Sequence, residues 1–223
     1  MTSIETVTIN CSRYDHPDFQ LMVDSAIPHV DVDCLVSFLE ESVQGGTRYL
    51  DGQTMQFGSM LFRIVALDNL LTLQEPDLRT FPISWTTGIT RSLQLLRLQK
   101  DIAESVGLAD KLDFPSIRCS LLVGADLTNG FDLLVFDRAE SDGLDSGWFV
   151  GRLDTGIDYN DPGNLRCVSI YQAILNWPQI AGFLALPAGC RVEMSRLSTV
   201  ISYNGRPLEI QKGSFIDTAR SKQ

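Results

Sequence analysis

Between residues 88 and 106 the chain has the pattern of one long helix whose apolar side chains do not keep to a single stripe. Ile89, Leu93 and Leu96 share one side, whereas Leu95, Leu98, Ile102 and Val106 share another. A helix apolar on two sides has to be covered on two sides. Either it packs on one structural unit and also meets a second, or it is buried within a single core.

Strand-like runs lie on both sides of this helix. Before it come residues 5–11, 19–23, 60–67 and 70–74, rich in β-branched and aromatic residues. The same region holds a helix that Asp31 can cap, with Leu35, Phe38 and Leu39 at i, i+3 and i+4 and Gly45-Gly46 as its stop. The pair Asp51-Gly52, between residues 48–50 and 54–57, predicts a hairpin turn. After the helix come strand-like residues 117–123 and 133–136, then residues 199–203 and 207–210 about Asn204-Gly205, a strong hairpin signal. Two short helices lie between them. Val168, Tyr171, Ile174 and Leu175 stripe the first; the second starts at Pro178, carries Ile180, Phe183 and Leu184, and stops at Pro187. Strands and helices are mixed without regular alternation, which predicts an α+β fold of two mixed sheet-and-helix parts joined by a long helix. A helix end at Gly107 with Pro115 following predicts a boundary near residue 110, giving domains 1–110 and 111–223.

Charge divides the chain at the same place. Residues 1–110 hold 15 acids against 7 bases and the remainder 13 against 11, so −8 of the net −10 sits in the first part. Long-range repulsion disfavours nucleic acid and anionic membranes as partners, and a basic partner is steered inward; solubility alone also accounts for such a balance. The first twenty-five residues have no basic start or unbroken apolar run, and no stretch reaches the roughly 18 apolar residues of a membrane span. A cytoplasmic protein is the expectation. Cys11, Cys34, Cys119, Cys167 and Cys190 are odd in number and lack CxxC spacing, which predicts reduced thiols rather than a disulfide framework or a structural zinc site.

The residues offer little catalytic chemistry. His16 and His29 each stand beside proline and are expected on surface loops, and the common hydrolase, zincin, NTPase and dinucleotide fingerprints are missing. No cofactor and no metal is expected. Residues 137–161 concentrate seven carboxylates (Asp137, Glu140, Asp142, Asp145, Asp154, Asp158 and Asp161) against Arg138 and Arg152, with glycines interleaved. Such a segment reads as solvated turns, as a contact surface for a basic partner, or as a metal or acid/base site; residues 154–163 lack the ligand spacing of an EF-hand loop. Trp148 within it is expected in the core.

A resemblance enters through the order and spacing of several motifs. Asp145-Ser146-Gly147-Trp148 followed by Gly151, then Asp158 and Asp161-Pro162-Gly163-Asn164, then Ile174, Pro178, Ile180 and Leu184, and finally Pro187-Ala188-Gly189 with Val192-Glu193, resemble the bacterial immunity-protein family numbered thirty-three among the polymorphic-toxin immunity families. The likeness spans roughly residues 117–195 and departs at residues 132–137, where a basic or Tyr-rich strand is expected. It implies a small α+β binding inhibitor encoded beside a toxin, such as a contact-dependent or type VI secretion effector, and it supplies no catalytic residues. Together with the charge, it leads to an expected partner: a cytosol-acting toxin, a nuclease whose basic phosphate-binding surface an acidic protein can occlude. The expected contacts are Asp142, Asp145, Asp154, Asp158, Tyr159 and Asp161, with a rival interface at Asp31, Asp33, Glu40 and Glu41. A hydrolase with an acidic-loop active site and a regulatory or scaffolding module are the alternatives from other classes.

Overall fold

The computed structural model describes residues 3–128, 133–195 and 198–220. The chain forms two compact units, residues 1–97 and 98–223, and is α+β with a mixed sheet in each.

The first unit contains β1 (Ile4–Ile9), β2 (Phe19–Asp24), α1 (His29–Gln44), β3 (Thr54–Phe57), β4 (Met60–Leu67), β5 (Leu70–Pro76), β6 (Trp85–Thr87) and the first half of α2 (Thr90–Ser105). The sheet order is β1-β2-β5-β4-β3, with β6 also on β5; β2 and β5 are parallel and the other pairs antiparallel. Phe19, Leu21 and Val23 alternate into the core, and Val32, Leu35, Leu39 and Val43 bury one stripe of α1. The division between the units falls within α2. In the first unit Ile89, Leu93 and Leu95 are buried and Leu96 packs over Gly58; in the second, Ile102 and Leu98 pack on Gly182. A carboxylate positions the start of α2: buried Glu75 accepts from the Ser92 N–H at 2.7 Å and the Arg91 N–H at 3.2 Å, occupying amides that no helical carbonyl can reach.

Several local expectations need correction. β1 stops at Ile9, before residue 11, because Asp18 Oδ1 takes the Cys11 and Ser12 N–H groups and turns the chain out of the ladder. Asp31 does not cap α1: Pro28 holds the cap position and Asp31 sits in the first turn, 3.6 Å from Arg97. Residues 48–50 form no strand, and Asp51-Gly52 closes no hairpin. Asp51 Oδ1 instead accepts from the Ala66 N–H, and the tight turn is Gly58-Ser59, joining β3 to β4 through the Phe57–Met60 pair. His16 is not on the surface; it is 3% exposed, stacks on Phe19 at 5.6 Å, and its Nε2 accepts from the Tyr49 N–H. His29 is exposed but opens α1 rather than lying in a loop.

The second unit continues with β7 (Ser120–Gly124), β8 (Leu134–Arg138), β9 (Asp145–Arg152), β10 (Leu165–Ser169), α3 (Ile170–Asn176), a 3-10 helix (Pro178–Phe183), β11 (Cys190–Met194), β12 (Thr199–Tyr203), β13 (Arg206–Pro207) and α4 (Phe215–Arg220). The order is β10-β7-β9-β8-β11-β12-β13, with only β7 and β9 parallel among these pairs. Asn204 and Gly205 both have positive φ, as a tight hairpin requires. β13 is two residues long, so the strand expected over 207–210 is not formed. Val168 belongs to β10, not to the helix. Ser169 ends that strand by accepting from the Gln172 N–H in a capping box, and α3 starts one residue later. Asp132, where the departure from the family pattern begins, lies outside the described residues.

The inner face of the second sheet carries Leu121, Val123, Phe136, Trp148, Val150 and Val192, all buried. Helical segments cover it. Trp148, 1% exposed and a core residue as expected, donates its indole N–H to the Leu184 carbonyl at 3.1 Å, and Phe136 packs on Phe183 at 5.8 Å. Gly182 is required by close approach: a Cβ there meets Ile102 Cδ1 at 2.6 Å. Among the described residues no helix is long and apolar enough to cross a membrane.

Candidate functional site

Strand alternation that sends Phe136, Trp148 and Val150 inward sends their neighbours to the other face. Cross-strand pairing aligns Leu122 with Phe149, Phe149 with Asp137, and Asp137 with Arg191, one row across four strands. The next row places Val135 between Gly151 and Glu193, with Gly124 beside Gly151. Leu122, Val135, Asp137, Phe149 and Arg191 line an open groove of about 560 Å³, whose apolar floor is Leu122, Val135 and Phe149 and whose border includes Leu153, Tyr159 and Leu165.

The two glycines exist for Tyr159. A Cβ on Gly124 meets the Tyr159 ring at 2.6 Å, and one on Gly151 meets it at 2.8 Å, so the connection between β9 and β10 folds its aromatic ring back onto the sheet. Tyr159 packs on Phe149 at 5.0 Å; its hydroxyl accepts from the Arg152 N–H and donates to Asp126 Oδ1, both at 2.9 Å. Burial pushes its phenol above the ordinary value, partly offset by the Arg152 N–H bond. Asp126 also accepts from the Thr155 hydroxyl at 3.1 Å, tying the loop down a second time. Across the groove, Arg191 donates to Asp137 and to Glu193.

The six expected contacts fall into two groups. Asp142 and Asp145 are exposed where β9 begins, and Asp154, Asp158, Tyr159 and Asp161 follow its end. Seven residue steps of extended strand separate Asp145 from Arg152, about 24 Å, so the two groups do not form one cluster. Four of the five carboxylates, Asp145, Asp154, Asp158 and Asp161, have a local task. Asp145 accepts from the Gly147 N–H, Asp154 pairs with Arg152 at 3.2 Å, and Asp161 caps the 3-10 turn Pro162–Asn164 through the Gly163 N–H. Asn160 donates its backbone and side-chain N–H groups to Asp158, holding that carboxyl below its usual range. Among the described residues no three His, Cys, Asp or Glu side chains come together as a metal site. Sequence reasoning missed the groove floor. The signal present was the pairing of glycines at 124 and 151 with outward apolar residues at 122, 135 and 149, legible only once the strand register was known.

No curated protein and no solved structure matches the chain. Residues 98–201 match the family model described as the Imm33-like domain, a stretch that begins where the second unit begins and carries both the groove and the acidic connection. The similarity to this immunity-protein family therefore lies in the second unit, over residues 98–201.

Proposed function

We propose that the chain is an immunity protein that binds a cognate toxin acting in the cytosol, a nuclease delivered as a secreted effector, and silences it by covering its substrate-binding surface rather than by chemistry. The Imm33-like match over residues 98–201 carries this reading. Two physical features support it. The net charge of −10 complements a surface built to hold phosphate, and the second sheet leaves one face open, with apolar residues beside the exposed carboxylates Asp154, Asp158 and Asp161. On this reading those three acids and the ring of Tyr159 form one side of the contact.

The test is co-expression with the product of the adjacent toxin-like gene, followed by co-purification and affinity measured against salt. Protection of growth with stoichiometric, salt-sensitive binding is the expected result. A partner that still kills in the presence of this chain, or fails to bind it, overturns the proposal.

A further inference from the structure

The first sheet ends in an unblunted edge. Ser25 donates its N–H to the Ser3 carbonyl at 2.9 Å, which sets the phase of the β1–β2 ladder. The pairs Glu5–Val23, Val7–Leu21 and Ile9–Phe19 therefore exchange both bonds, and the backbone groups of Ile4, Thr6 and Thr8 point off the sheet. β2 agrees from its other side, where the Asp24 N–H bonds Thr90 Oγ1 and the Met22 carbonyl accepts from the Ile89 N–H. Among the described residues no group bonds the outward N–H and C=O of Ile4, Thr6 or Thr8. Sheets blunt such an edge by brevity, proline, lysine or a bulge. The other free edges of this chain are protected. β3, β6 and β13 are four, three and two residues long. β10 has five, but of its outward residues Leu165 gives its N–H to the Pro162 carbonyl and Ser169 to Gln172 Oε1. β1 has six, pairs with β2 in one unbroken register, carries Glu5 as its one charge, and leaves Ile4 60% exposed.

We propose that β1 pairs antiparallel with β1 of a second copy of this chain, about a two-fold axis at Thr6, so that one sheet runs through both copies. A row of alternating donors and acceptors is matched by another strand, and this row matches itself. With Thr6 opposite Thr6, Ile4 meets Thr8, and all three outward residues exchange both bonds with the partner strand. The same register sets Glu5 beside Val7. The neighbouring register, with Ile4 opposite Thr6, puts Glu5 on Glu5 and keeps only two bonded pairs; like charges directly opposite and fewer bonds both disfavour it. Val7, half-buried at the border of the core beside Leu21, is covered by the added strand. A strand paired with itself in this way closes the assembly at two copies. The pairing is independent of the immunity reading.

The experiment measures the mass of the full-length chain in solution by light scattering and sedimentation, from about 1 to about 200 µM. The expected result is a rise from the mass of one chain to that of two. Thr6→Pro removes an outward N–H from each copy and none from the β1–β2 ladder, so it should weaken the dimer at least about tenfold. Thr6→Lys and Thr6→Glu each set like charges across the axis and should dimerise about threefold more weakly, whereas an equimolar mixture of the two should regain wild-type dimerisation or better. Thermal melts check that each variant folds, and the Lys and Glu variants decide the matter if the Pro variant does not. A wild type that stays monomeric over the whole range overturns the pairing. So does a dimer that the Lys and Glu variants and their mixture leave unchanged, because its interface then lies elsewhere. A monomeric wild type whose binding to the adjacent-gene product is weakened by Thr6→Pro gives the edge to the toxin and overturns self-pairing as well.

Discussion

Arg138 donates to Asp113 at 2.6 Å, yet the two ends of this ion pair live in different media: the arginine side chain is 4% exposed and its partner's 66%. The guanidinium also donates to the Asp113, Leu186 and Ser146 carbonyls and lies 5.7 Å from the Trp148 ring. Burial pulls its pKa below the ordinary value, against the opposing pull of Asp113. The pair is thus a buried cation that gathers three chain segments around the end of β8.

Its two halves should respond differently to mutation. Replacing Arg138 by Met leaves the carbonyls without their donor and is expected to cost about 3 kcal/mol, whereas Asp113→Asn, at an exposed site, should cost under about 1 kcal/mol. Urea unfolding of the two variants checks this. Equal losses would mean that the ion pair, not the carbonyl contacts, carries the stabilisation.

Gly147 makes a second, sharper case. Its φ is +72°, and a Cβ there runs into the Ala139 carbonyl oxygen, a backbone atom that cannot swing aside as a side chain can. Gly143 also has positive φ but faces open space. Gly147→Ala should therefore cost about 3 kcal/mol and Gly143→Ala about 1 kcal/mol. Similar melting temperatures for the two would show that the strand end relaxes freely.

How much of this was legible beforehand depended on whether a signal was local. The Asn204-Gly205 turn and the helices at residues 170–176 and 178–183 follow from nearby residues. Asp51-Gly52 misled because the same dipeptide serves any turn, and here its carboxylate bonds Ala66, fifteen residues away. His16 misled for a similar reason: His-Pro resembles a loop until Phe19 and Tyr49 close over the ring. The acidic connection was visible as composition, but Tyr159 returning to Gly124 and Gly151 needs the parallel β7–β9 pairing, which residue periodicity does not encode.

Cys190 gives a prediction in pH. It is 1% exposed, and burial pushes its thiol up to about 11 from an ordinary 9.0. An unfolded chain ionises that thiol first, so the folded state binds more protons between these values. Its contribution is intact below about pH 9 and is lost as pH rises through 11. The stability gap between wild type and Cys190→Ala should shrink by about 2 kcal/mol from pH 8 to 11. A pH-independent gap would contradict the burial cause. In the native state thiol reagents should modify exposed Cys34 and Cys167 quickly and Cys11, Cys119 and Cys190 slowly.

Tyr159 separates the roles of a ring and of a hydroxyl. The Phe variant keeps the ring on Phe149 and above the paired glycines but removes the acceptor for the Arg152 N–H and the donor to Asp126, at an expected cost of about 1 kcal/mol. The Ala variant removes the ring as well and leaves Gly124 and Gly151 facing a void, at about 2–3 kcal/mol. If the ring forms a wall of the partner-binding groove, affinity for the toxin should stay within about threefold for Tyr159→Phe and fall more than about tenfold for Tyr159→Ala. The outcome that would count against this role is an Ala variant that remains folded by thermal melt and binds as the wild type does. Tyr159 would then hold the connection down without shaping the surface that the partner meets.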